Sequence, residues 1–122
     1  MEYCNDFKYD LKVGQVGEDM LASILNNKTI EVKRDSWIYK SGNIAIEYES
    51  RGKKSGIAKS EAQWWCIIFS GGYADELMVI VKASRLKQIC RKYYKLGSIM
   101  SVGDNNSSRV VLIPLNEFMS YK

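Results

Sequence analysis

From Thr29 to Ser50 the chain reads TIEVKRDSWIYKSGNIAIEYES, and oily and charged residues alternate through most of it. Side chains of a strand point alternately to its two faces, so this alternation predicts two half-buried strands. Ile30, Val32, Ile44, Ile46 and Tyr48 would share one face, and Glu31, Lys33, Asp35, Glu47 and Glu49 the other. The turn-forming stretch Lys40-Ser41-Gly42-Asn43 would join them as a hairpin. A soluble edge needs charge, but it does not need acids gathered so heavily opposite one another. The polar face asks for a reason.

Around this ribbon the pattern changes period. VGEDMLASILNN predicts a helix with Val16, Met20, Leu21, Ile24 and Leu25 on one broad face, Glu18 at its margin, and Asn26-Asn27 at its end. A basic loop, SRGKKSG from Ser50 to Gly56, follows the ribbon. SEAQWWCIIF then reads as a second helix, with Ser60 and Gln63 at capping-box spacing. A strand over WWCIIF stays open, because short oily runs are ambiguous. ELMVIV predicts a buried strand after the Gly71-Gly72 turn. SRLKQICRKYYKLG predicts the clearest helix: Ser84 as cap, Leu86, Ile89, Cys90 and Tyr93 as stripe, and Gly97 as stop. SIMSVGDNNSSRVVLIPL predicts a last hairpin. The expected order is α-β-β-α-β-α-β-β, an α/β fold with a small mixed central sheet flanked by helices, in a single domain over residues 1–122.

Composition narrows the chemistry. The 122 residues include no histidine, which excludes Ser-His and Cys-His nucleophilic pairs and histidine-ligated metals. Cys4, Cys66 and Cys90 are odd in number and form no CxxC pair, so they read as reduced, mostly buried thiols. Any metal would sit on oxygen ligands, which favours Mg²⁺ or Mn²⁺. The net charge of +4 suits an anionic partner. No apolar run approaches the roughly 20 residues that span a bilayer. The opening MEYCNDFKYD is acidic and aromatic where a signal peptide would be basic and then oily, so an intracellular, cytoplasmic protein without a membrane partner is expected.

Phosphodiester hydrolysis needs carboxylates that hold a hard cation beside the scissile phosphate, and a lysine to stabilise charge or position water. Cross-strand neighbours lie roughly 5 Å apart at Cβ, so a hairpin could bring Asp35 and Glu47 onto one ion. Glu49 could add a ligand or act on water, Lys33 supplies the cation, and Glu18 could reach in from the first helix.

These residues resemble the PD-(D/E)XK nuclease superfamily, whose core is a helix bearing an acid, a hairpin bearing Asp and then Glu-x-Lys, and a further helix and strand. EVKRD and GNIAIEYESRGKKSGIAKSEAQWW are similar to small phage-type members grouped with Holliday junction resolvases. The resemblance covers roughly residues 14–82. It implies a restriction-endonuclease-like core and a metal held by Asp35 and Glu47, assisted by Glu18 and the carbonyl that follows Glu47. Position 34 is Arg where the motif has Pro, and Glu49 stands where most members have lysine; Lys33, on the same strand face as Asp35, could be a displaced catalytic lysine, with Lys33 or Glu49 orienting or deprotonating the water. A second register takes Glu31-Val32-Lys33 as the Glu-x-Lys. The first is preferred because it draws both ligands from neighbouring strands.

The resemblance implies a Mg²⁺- or Mn²⁺-dependent endonuclease for DNA, branched as in a four-way junction, acting as a homodimer without a nucleotide cofactor. Lys40, Arg51, Lys53, Lys54 and Ser55 would contact the DNA backbone. Bland readings stand beside these. The acidic face could be a solvated sheet surface, Glu18 an ordinary first-turn acid, and the basic face from Arg85 to Lys95 a solubilising one. Trp64 and Trp65 read as core or dimer-interface anchors. A nuclease for plain duplex, nicked or single-stranded DNA, and a non-catalytic DNA-binding module, remain as rivals.

Overall fold

A parallel ladder, not a hairpin, organises the first half of the chain. In the computed structural model, which describes residues 3–26, 29–71 and 77–120 (side chains from residue 12 onward), strand β1 (Ile30–Asp35) runs alongside strand β4 (Trp64–Phe69) in parallel. Strand β5 (Leu77–Lys82) pairs antiparallel with the other edge of β4. Strand β2 (Asn43–Ser50) belongs to a second sheet of order β3-β2-β7-β6, with β3 at Lys53–Lys54, β6 at Ile99–Val102 and β7 at Ser108–Pro114. The fold is mixed α/β, with a small mixed sheet, an antiparallel sheet and flanking helices. Helices α1 (Tyr3–Asn26), α2 (Ile38–Ser41), α3 (Ala83–Lys95) and α4 (Leu115–Ser120) complete it.

Several sequence expectations change accordingly. The two alternating segments are strands, but β1 and β2 do not pair with each other; the four-residue helix α2 stands where a tight turn was expected. A helix in the connection, closed by Gly42 at φ +71, carries the chain from one sheet to the other. The segment from Ser60 to Phe69 is not a helix. Its oily run is the central strand β4, with Trp65, Ile67 and Phe69 buried on one face and Cys66 on the other, which explains its lack of alternation. The Ser60 hydroxyl accepts from Ala62 N–H at 3.2 Å, and Gln63 N–H donates to the Thr29 carbonyl at 3.0 Å, so the capping-box pair serves a loop.

The strand expected over ELMVIV forms as β5 but is not buried, for Leu77 and Met78 are exposed; the expectations after it fare better. α3 buries Leu86, Ile89, Cys90 and Tyr93, and Gly97 follows it at φ +77. Its cap position is Lys82, without a side-chain cap, and not Ser84. The last two strands pair as expected. In α1 the helix forms, yet of its expected stripe only Ile24 is buried; Val16, Met20, Leu21 and Leu25 remain exposed. Asn27 and Gly72 lie outside the described residues. Among the described residues no helix is long and apolar enough to cross a membrane.

The core lies where α3 meets the inner faces of both sheets. Trp65, Ile67 and Phe69 contribute from the first, Ile44, Ile46, Val111 and Ile113 from the second, and Leu86, Ile89, Cys90 and Tyr93 from the helix. Trp65 is 3% exposed, so it anchors this core and offers no surface to a second subunit. A buried side chain of this kind removes enough apolar area to contribute about 1.5–3 kcal/mol.

A 3-10 turn at Gly56–Ala58 packs against β2 and buries Ile57. Gly56 has φ +50, and a methyl group built on it would collide with the Glu47 carbonyl oxygen. Gly52 has φ +76 in open space. Gly52→Ala should therefore cost only the left-handed backbone penalty, about 1 kcal/mol, while Gly56→Ala costs about 2 kcal/mol more. Urea denaturation of the two variants checks the difference, and equal losses would contradict the close packing at Gly56.

Candidate functional site

Residues paired side by side in a ladder point to the same face of the sheet. The register of β1 on β4 places Glu31 beside Trp65, Lys33 beside Ile67 and Asp35 beside Phe69. Those three partners are buried core residues. The charged set of β1 therefore lies on the inner face of the sheet, and the oily set lies on the outer face, beside Trp64, Cys66 and Ile68. Val32 is 62% exposed. The expectation that Ile30 and Val32 share a buried face with Ile44 and Ile46 is thus reversed. β1 is an edge strand that meets β2 at its end, through Asp35.

Asp35 fixes that border. It is 5% exposed, and its two carboxylate oxygens each accept a backbone hydrogen bond, Oδ1 from Trp37 N–H and Oδ2 from Ala45 N–H, both at 3.0 Å. One bond shapes the entry to α2. The other ties the end of β1 to the Ala45 amide of β2, a strand with which β1 forms no ladder. Glu47 lies two residues beyond Ala45 and on the same side of β2. Its carbonyl is packed against Gly56. Gly56 in turn shares an open cleft of about 580 Å³ with Glu31, Lys59, Ser60 and Glu61. Asp35 thus meets β2 at the end of β1, Glu31 lines the open cleft near its start, and Lys33, between them on β1, is half-buried.

The remaining expected residues are placed less centrally. Glu49 forms an ion pair with Arg109 of β7, Nε to Oε2 at 3.3 Å, and faces Lys54 across the β2–β3 ladder. Both partners of the ion pair are partly exposed, so it contributes about 0–1 kcal/mol. The carbonyl of Tyr48, the one following Glu47, accepts from Ser55 N–H at 3.1 Å. Glu18 is exposed on α1. Lys40 lies exposed at the end of α2, its ammonium 5.0 Å from the Trp37 ring centroid. The basic loop is a tight hairpin: Arg51 and Gly52 have positive φ, and Lys53 and Lys54 pair with Ser50 and Glu49. Arg51, Lys53 and Lys54 are exposed. The Ser55 hydroxyl is buried and lacks a hydrogen-bond partner.

Oxygen donors are the only chemistry this border offers a cation. An ionised carboxylate has about four lone-pair sites, so Asp35 keeps accepting capacity after its two backbone bonds. Among the described residues no group of three or more His, Cys, Asp or Glu side chains gathers closely enough to hold a metal ion. Mg²⁺ commonly takes only one or two carboxylates and completes its shell with water and phosphate. Asp35, Glu47, Glu31 and Glu18 belong to no such group of three or more.

Arg109, Lys59 and Glu61 were not singled out by sequence. Arg109 meets Glu49 through a β2–β7 pairing that no local pattern announces. Lys59 and Glu61 border the cleft because β1 is parallel to β4, which brings the segment before β4 to the start of β1.

Asp35→Ala removes the acceptor from two backbone N–H groups, each costing about 1–3 kcal/mol when left unsatisfied. A loss of about 2–4 kcal/mol in urea denaturation is expected, and a loss under about 0.5 kcal/mol would show that the clamp is dispensable.

No protein-family model, no curated protein and no solved structure matches the chain, so the site stands on its own geometry.

Proposed function

We propose that the chain is a divalent-metal-dependent DNA endonuclease, selective for branched DNA such as a four-way junction. The observation that carries this reading is the inverted strand β1: Asp35 is buried and Lys33 half-buried on the face shared with Trp65, Ile67 and Phe69, Glu31 stands exposed at the cleft end of the same face, and Val32 faces out. An inward charged face costs desolvation, and such violations of the local rule concentrate at functional sites. Lys33 strengthens the case. Among the described residues it forms no ion pair with Glu31 or Glu47, as a simple solvated face would lead one to expect.

Asp35 and Glu47 would hold Mg²⁺ or Mn²⁺, with Glu31 as the further acid of the same border. The ion would supply charge stabilisation at the phosphoryl oxygens. The chain's own residues do the rest. Lys33 Nζ donates to a non-bridging phosphate oxygen and so balances the acids. Glu31, on the open cleft, accepts a proton from the attacking water. Arg51, Lys53 and Lys54 hold phosphates beyond the scissile one, with Lys40 doing so from the end of α2. The restriction-endonuclease-like core and the junction preference rest on the sequence resemblance. Two symmetric cuts require two sites, so the acting species is a two-fold dimer, which would also cover the exposed apolar side of α1.

One observation favours a second reading, a DNA-binding module without catalysis: Asp35 and Glu49 each have structural partners already. The two readings part on Glu47→Gln. On a labelled four-way junction with Mg²⁺ or Mn²⁺, the nuclease reading expects cleavage to fall on the order of a hundredfold or more while junction binding persists. Absence of cleavage by the unaltered protein, with binding retained in EDTA, would establish the binding module. Equal cleavage of the junction and its linear arms would remove the preference for branches.

A further inference from the structure

Helix α3 carries Lys87, Arg91 and Lys95 at intervals of four, so they lie one above another on a single side. That side does not simply meet solvent. Together with Tyr48 of β2, Ile57 and Ala58 of the 3-10 turn, Val111 of β7, and Cys90 and Tyr94 of α3 itself, it lines a recess of about 320 Å³. The floor is oily: Ile57, Cys90 and Val111 are buried. Burial pushes the Cys90 thiol up to about 12, so the floor carries no charge at neutral pH. Tyr48 and Tyr94 meet edge to face with ring centroids 5.3 Å apart, and Tyr94 is 53% exposed. Among the described residues no acid lines the recess, and α3 contains none.

A solubilising face would mix signs, because like charges four apart destabilise a helix by roughly 0.2–0.5 kcal/mol per pair. This helix keeps two such pairs, Lys87–Arg91 and Arg91–Lys95, over an aromatic, apolar hollow. An oily floor, an aromatic wall and a cationic rim complement a flat ring joined to a phosphate. We propose that the recess between α3 and β2 takes one unstacked nucleotide, its base against Tyr94 and Tyr48 and its phosphates on Lys87, Arg91 and Lys95. The recess shares with the nuclease reading only its ligand class; it needs neither metal nor carboxylate. Its nucleotide could be part of a strand or free, and the two sources are separable.

The test is fluorescence anisotropy in EDTA with a labelled single strand, the same strand in a duplex, and unlabelled dTMP as competitor. Tighter binding of the single strand than of the duplex is expected. Tyr94→Ala should weaken single-strand binding roughly tenfold, within the range for loss of one stacked base, whereas Tyr94→Phe should retain it. Arg91→Glu should lower the salt dependence by about one phosphate contact, while Lys12→Glu on α1 leaves it unchanged. Displacement of the strand by dTMP would support a pocket that also accepts the free nucleotide; displacement only by other strands would support the strand alone. Unaltered binding by Tyr94→Ala and Arg91→Glu, each with an unchanged thermal melt, would overturn the proposal. So would equal affinity for single strand and duplex. Binding as expected without cleavage in Mg²⁺ would leave the recess standing and remove the nuclease. Cleavage with wild-type binding by Tyr94→Ala would do the reverse.

Discussion

The carboxylate of Asp35 holds the two halves of the molecule in register. It ends β1, caps the turn into α2 through Trp37 N–H, and reaches Ala45 N–H on β2. The oily contacts between the three-stranded and the four-stranded sheet are non-directional and fix distances poorly. A charge-assisted hydrogen bond is directional and roughly twice as strong as a neutral one. It therefore sets where Glu31 and Lys33 stand relative to Glu47. The geometry of the proposed site depends on this clamp more than on any other contact.

A carboxylate with both oxygens engaged by the backbone is unusual as a purely catalytic group. Asp35 has two duties in this account, a structural one visible in its hydrogen bonds and a chemical one proposed from its neighbours. The two are compatible, since a ligand locked by backbone donors is pre-organised and loses little freedom when a cation arrives. Positive charge is distributed on either side of β2. The Arg51–Lys54 hairpin lies at the strand's end, and the cations of α3 line the recess beside Tyr48. A polyanion laid along this strand would meet both, which gives the net charge of +4 a spatial meaning.

Much of the secondary structure was legible, and the partners of the strands were not. Alternation in TIEVKRD and NIAIEYES identifies both strands correctly, because period two is a local property. Pairing is a long-range property. The choice of β4 for β1 and of β7 for β2 is made by oily faces that α3 must cover, and no local residue encodes it. The same distance hid Arg109 from Glu49. WWCIIF was ambiguous because a central strand shows no alternation. α3 was read correctly because its stripe, its polar back and Gly97 all agree. For the site, the residue types on β1 were legible, but their direction was inverted: an edge strand beside a second sheet can turn its charges inward, and sequence alternation cannot tell in from out.

The most direct measurement is a crystal structure of the protein soaked in Mn²⁺, with anomalous scattering used to locate the ion. The account predicts one strong peak along the border of β1 and β2, within coordination distance of Asp35 or Glu31 and of Glu47, with Lys33 beside it. Density free of any such peak, with the Glu47 carboxylate turned away from β1, would contradict it.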